Sequence, residues 1–197
     1  MISSQTSPPS SSVASPRTLG LPDLAFVGKA GSGKSTAAEL LAELGYLHLS
    51  FMTPLKRFAA ELWGADVDRG ALIDLGAAVR EIDSNTLVDS LLKRKAFVGG
   101  SMGYIGPTGP FVVDDCRFEP EWFALKAEGF AIVRLNANPG LRADRLKAKG
   151  RAMPWPTDTT ETALDQLTAD HTIENTGTKD DLYDELVNVV LQERKRR

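Results

Sequence analysis

The stretch LAFVGKAGSGKST, residues 24 to 36, constrains the fold most. An apolar run stops at Gly28, three glycines fall within six positions, and Lys34, Ser35 and Thr36 follow. Gly28, Gly33, Lys34 and Ser35 satisfy G-x-x-x-x-G-K-[ST], with a strand pattern before and a helical pattern after. Glycines let successive backbone N–H groups turn inward around phosphate oxygens. The helix N-terminus adds the positive end of its dipole. Gly28, Ala30, Gly31, Ser32, Gly33, Lys34, Ser35 and Thr36 are therefore expected to cradle ATP. Lys34 would reach the β- and γ-phosphates, and Ser35 would bind Mg²⁺.

The rest of the chain alternates between short strand patterns and helical ones. Strands are expected at residues 23–28, 46–50, 111–115, 130–136 and 171–175. Helices are expected at 35–44, 53–63, 71–82, 86–97, 120–128, 141–149, 161–167 and from Thr178 onward. Pro54 at the first turn and Thr53 as a cap place the second helix start. Alternation of this kind specifies an α/β fold of three layers, a central parallel sheet covered by helices on both faces. The segment from Val98 to Pro110 carries five glycines and two prolines and is expected to be a loop.

Composition narrows the classes. A net charge of −3 gives no global basic field to recruit nucleic acid or a membrane, so anion binding must come from local arginine and lysine clusters. One cysteine, Cys116, excludes an internal disulfide, and His48 and His171 lack neighbours at metal-ligand spacing. No run of 18 apolar residues is present. Residues 1–21 are Ser/Pro-rich and lack the apolar core of a secretory signal; they are expected to form a disordered tail. A reducing, cytoplasmic setting fits this composition. An apolar face on the last helix and the tryptophans leave room for a homo-oligomer.

Four further stretches bear on the phosphate acceptor: FMTPLKRFA (51–59), LIDLGAAVREID (72–83), DDCRFEPEW (114–122) and RLNANPGLRADRLKAKGR (134–151). With the phosphate loop and IENTGTKDDL (173–182), they resemble the bacteriophage deoxynucleoside monophosphate kinases. The most specific piece is D-x-R-F followed by an acid: Asp115, Arg117, Phe118 and Glu121. The resemblance implies a phosphate-loop kinase with a helical monophosphate-binding region, about residues 51–98, and an arginine-bearing lid, about 138–160. It also implies transfer of the ATP γ-phosphoryl group to a small nucleotide. Ala77 and Ala78 depart from the family pattern, as does the missing aromatic near Thr86 to Val88.

Candidate roles follow. Asp115 ends a buried strand at the edge where ligands bind in open α/β sheets. It would hold the acceptor or orient the metal, or else cap the next helix. Asp114 faces the other way and could take the metal instead. Arg117 and Arg80 are candidates to grip the acceptor phosphate, since guanidinium forks bind phosphate bidentately. One of Lys56 and Arg57 would face the acceptor, and Phe51 either stacks on its base or joins the core. Arg142 and Arg145 share a helix face, and with Arg151 would form the lid over the transferring group. Asn175, Gly177 and Thr178 would lie beneath adenine or form a plain turn. Two alternatives remain: a kinase of another small metabolite, such as dephospho-coenzyme A, and a nucleotide-gated binding protein.

Overall fold

The computed structural model describes residues 20–64, 67–101, 109–154 and 162–197. The tail up to residue 19, Trp155 and residues 155–160 of the expected lid lie outside them. In chain order the elements are β1 (Leu24–Val27), α1 (Lys34–Glu43), β2 (Leu47–Leu49), α2 (Thr53–Trp63), α3 (Arg69–Ile82), α4 (Thr86–Ala96), β3 (Phe111–Val113), α5 (Glu119–Ala127), β4 (Ala131–Asn136), α6 (Pro139–Ala148), β5 (His171–Glu174) and α7 (Lys179–Arg196). The five strands form one sheet in the order β2-β3-β1-β4-β5, with every pairing parallel. This is the expected three-layer phosphate-loop fold.

β1 shows why the apolar run is continuous. Leu24 and Phe26 point to one face, against Ala37 and Leu41 of α1 and Leu182, Leu186 and Val189 of α7. Ala25 and Val27 point to the other, against Leu55 of α2, Leu87 and Leu91 of α4 and Leu125 of α5. A strand covered on both faces leaves no position for a polar side chain. Because all strands are parallel, the segments after β1, β2, β3, β4 and β5 meet along one sheet edge. β1 lies between β3 and β4, so the chain reverses its winding there and opens a crevice at the phosphate loop.

Several expectations are corrected. Phe51 is 1% exposed and packs in the core with Leu55 and Leu91, so it does not stack on a base. The apolar face of the last helix is consumed by α1 and the sheet rather than left for a partner; Leu191 alone of its large apolar residues is exposed. Within the expected helix at 161–167, residues 163–166 form turns. There Arg134 donates from Nη2 to the carbonyls of Leu164 and Leu167, both at 2.7 Å. α4 runs on into a π-helical turn, Phe97–Ser101, where a loop is expected.

Candidate functional site

The loop from Gly28 to Gly33 is held from outside as well as by its own sequence. Arg142 of α6 donates from Nε to the Ala30 carbonyl at 2.7 Å. Asn175, just after β5, donates from Nδ2 to the Ser32 carbonyl at 2.8 Å. Both side chains are buried. Gly31 has φ +79, and a Cβ there would lie 2.7 Å from the Arg142 carbonyl; Gly33 has φ +105, and a Cβ would lie 2.2 Å from Asn175 Nδ2. Glycine is required at both positions by conformation and by space. Arg145 donates from Nη1 to the Asn175 carbonyl at 3.1 Å, which extends the brace. The Lys34 ammonium curls onto the carbonyls of Gly28 and Lys29, at the mouth of the loop.

These contacts revise the roles expected for the lid and adenine residues. Arg142 and Asn175 touch the loop backbone itself. Thr178 caps α7: its Oγ1 accepts from Asp181 N at 3.1 Å, and the Asp181 carboxylate accepts from Thr178 N at 2.7 Å. Gly177 lies against the Asp181 side chain. Arg151 is exposed after the end of α6.

At the end of β3 two adjacent acids go to different surroundings. Asp114 meets His48 Nε2 at 2.7 Å and the hydroxyl of Ser35. Burial pushes its carboxyl up, but the bonds from His48 and Ser35 and the charges of His48 and Lys34 outweigh this and hold it below the usual carboxylate range. His48 is raised in turn, chiefly by its bond to Asp114. Asp115 is spent on structure: its carboxylate accepts from Ser50 Oγ at 2.6 Å, Phe51 N at 3.0 Å and Met52 N at 3.1 Å. Desolvation raises its pKa despite those donors. The structure therefore brings Asp114, not Asp115, to Ser35 and Lys34, and Asp115 organises the β2–α2 turn.

Arg80 is likewise committed. It donates to Glu121 Oε1 at 2.8 Å and to the Gly76 carbonyl at 3.1 Å, and its guanidinium lies 4.3 Å over the Phe118 ring. Glu121, 2% exposed, also accepts from Arg117 N and Phe118 N, so the acid of D-x-R-F-x-x-E caps α5 and locks the arginine loop. The Arg117 side chain is half-buried beside it, and Lys56 and Arg57 are exposed on α2. Sequence reasoning missed Arg94. It occupies the core-facing stripe of α4 with Leu87 and Leu91, at i, i+4 and i+7, and donates from Nη2 to the Ser50 carbonyl. A cation on the apolar face of an amphipathic helix is the signal that could have found it.

A pocket beside the loop is lined by Gly28, Ser32, Asn136, Arg142 and Asp165. Asp165 pairs with Lys29 at 3.3 Å and approaches Arg134 at 3.9 Å, tying the turns at 163–166 to the loop. Ser35 is exposed, so its hydroxyl and the Asp114 carboxylate present a pair of hard oxygen donors next to Lys34. That donor set fits Mg²⁺, which keeps several waters and takes few protein ligands. Among the described residues no group of three His, Cys, Asp or Glu could hold a metal by itself, and no helix is long and apolar enough to cross a membrane.

Comparison with known proteins gives the family and the fold. The family model described as AAA domain matches residues 24–162. Among solved structures, the chain is similar to a shikimate kinase from Acinetobacter baumannii in complex with shikimate, with TM-score 0.52 and 20% identity over 90% of this chain and 97% of that one. It is similar to a gluconokinase from Sinorhizobium meliloti 1021, with TM-score 0.54 and 15% identity over 89% and 94%. A shikimate kinase from Bacteroides thetaiotaomicron gives TM-score 0.51 and 15% identity over 87% and 99%. No curated protein matches in sequence. At these identities the likeness is one of fold.

Proposed function

The chain belongs to the AAA domain family, and from that premise we propose that it is a deoxynucleoside monophosphate kinase, consuming ATP and yielding ADP and a deoxynucleoside diphosphate. The observation that carries the reading is one juxtaposition. A braced phosphate loop with Lys34, Ser35 and Asp114 shares its sheet edge with Arg117 on the segment after β3 and with Lys56 and Arg57 on α2, the helix after β2. Two polyanions brought together need such a pair of cationic surfaces.

In this reading the loop amides and Lys34 hold the β- and γ-phosphates. Ser35 and Asp114 would hold Mg²⁺, which when bound neutralises charge on those phosphates. An oxygen of the acceptor's monophosphate forms a new bond to the γ-phosphorus, and the bond from that phosphorus to the β–γ bridging oxygen breaks. Arg117 and one of Lys56 and Arg57 hold the acceptor in line. Residues 51–98 form the acceptor region and 138–160 the lid, with Arg142 and Arg145 linking lid and loop through the Ala30 and Asn175 carbonyls. The D-x-R-F signature and the order of the six stretches support the nucleotide acceptor, and the protein's work is supply of DNA precursors.

The test is a coupled ADP-release assay with ATP, Mg²⁺ and each common dNMP, followed by the matching NMPs. ADP release that depends on a dNMP, abolished in Lys34→Ala, is the expected result. ATP binding with no stimulation by any nucleotide would overturn the acceptor assignment.

A further inference from the structure

Resting on the kinase reading, we infer that Arg94, together with Arg57, forms the binding site for the acceptor's phosphate monoester, a place for which the sequence alone offers Arg117 and Arg80. The two arginines differ in what already satisfies them. Arg80 has a buried carboxylate, a carbonyl and an aromatic face. Arg94 has the Ser50 carbonyl, its Nε is buried with no hydrogen-bond partner, and it forms no ion pair among the described residues. A half-buried guanidinium with a buried, unpartnered Nε and only a neutral acceptor leaves donor capacity that an anion can take up.

The surroundings point to the same ligand. The carboxylate whose charge acts on Arg94 is Asp115, and its oxygens are occupied by Ser50, Phe51 and Met52. Desolvation and the like charge of Arg57 pull the Arg94 guanidinium below its ordinary range, with Asp115 opposing them. Two guanidinium groups held within electrostatic reach repel each other until a doubly charged group lies between them. A phosphate monoester supplies that charge and matches two planar forks. The placement is also suitable. Arg94 is fixed to Ser50, Ser50 to Asp115, and Asp115 adjoins Asp114 at Ser35, so an anion at Arg94 lies on the sheet edge that carries the phosphate loop.

The experiment saturates the loop with Mg²⁺ and β,γ-imido-ATP. Wild type, R94Q, R94K and R57Q are then titrated by calorimetry with dNMPs, with the parent deoxynucleosides and with inorganic phosphate. R94Q is expected to weaken dNMP and phosphate binding by about tenfold or more, with deoxynucleoside and ATP-analogue affinity within about twofold. R94K recovers part of the loss, since it restores charge without the fork. R57Q, an exposed position, weakens the same two ligands and decides the matter if R94Q fails to bind the ATP analogue. Wild-type affinity for dNMPs and phosphate in R94Q overturns the inference. Turnover of dNMPs that R94Q does not affect overturns it too, and leaves the kinase reading intact. Phosphate binding that depends on Arg94, in a protein that turns over no dNMP, keeps the anion site and removes the dNMP acceptor.

Discussion

Asp114 meets Ser35 and His48, whereas Asp115, one residue on, gives its oxygens to Ser50, Phe51 and Met52. Strand alternation separates them, and the difference is testable by titration. His48 is raised, so its share of stability is complete below its unfolded value of about 6.5 and is lost as pH climbs through the folded value. Asp114 is lowered, so its share is present above about 3.9 and is lost as pH falls through its folded value. The pair thus supports the fold in the window between those two losses. NMR titration should place the His48 midpoint above about 6.5 in the free protein. Mg²⁺ with ATP should move it down, because a cation at Asp114 takes up the carboxylate with which the imidazolium pairs. A midpoint unmoved by Mg²⁺ and ATP would argue against Asp114 as the metal residue. Arg80 gives a second prediction. Arg80→Ala leaves Glu121 buried without its cation, so urea unfolding should show a loss of about 3 kcal/mol or more. The KM for the acceptor should change little once the variant is kept folded. A large KM effect with unchanged stability would restore Arg80 to the phosphate.

The connections between elements carry as much of the site as the elements themselves. Gly33→Ala would put a methyl 2.2 Å from Asn175 Nδ2 at a φ of +105. The loop would have to shift, and ATP affinity should fall by about tenfold or more while the circular dichroism of the fold is kept. Adding Asn175→Ala removes the clash but not the backbone strain, so the double variant should recover part of the affinity and not all of it. Full additivity of the two losses would show that the side chain of Asn175 does not press on the loop. This brace separates what was legible in the sequence from what was not. The apolar run of β1, the Gly28-to-Ser35 motif and the amphipathic spacing of α2 are local patterns, and they yielded the sheet, the loop and a helix from Thr53 to Trp63, although Met52 and not Thr53 holds the cap position. Asn175 reaches Ser32 across 143 positions, and Asp115 reaches the β2–α2 turn across more than sixty. No periodicity encodes such pairings. Arg80 and Arg94 illustrate the same limit, since which one meets a carboxylate depends on how α3, α4 and α5 pack. The turns at 163–166 stand where a helix is expected, and Arg134, on a distant strand, binds the carbonyls of Leu164 and Leu167 there, a pairing no local pattern encodes.

At the scale of the molecule, β1 divides the sheet, and the phosphate loop at its end is fastened to α6 and to the β5–α7 turn. Ligand on the loop therefore contacts a structure that spans both halves, and its binding energy adds to global stability and not to one hairpin. With ATP and Mg²⁺ at about 100 times Kd, mass action gives roughly 2.7 kcal/mol. For a chain of this size, about 2–4 °C per kcal/mol makes a rise in Tm of roughly 5–11 °C. Lys34→Ala should abolish most of that rise. The substitution also removes the bonds from Nζ to Gly28 and Lys29, so the free variant should melt slightly below wild type. A shift retained in full by Lys34→Ala would mean that ATP is not held through this loop. Adding a dNMP to the complex with β,γ-imido-ATP should raise Tm again, since the wall proposed for the acceptor, on α2, α4 and the β3–α5 loop, rests on the core cluster that Leu55, Leu91 and Leu125 build. The parent deoxynucleoside should raise it less, because it lacks the phosphate proposed to lie between Arg94 and Arg57. Equal shifts from the two would place the acceptor's recognition on its base and sugar, and the arginines of this wall would then have no phosphate to hold.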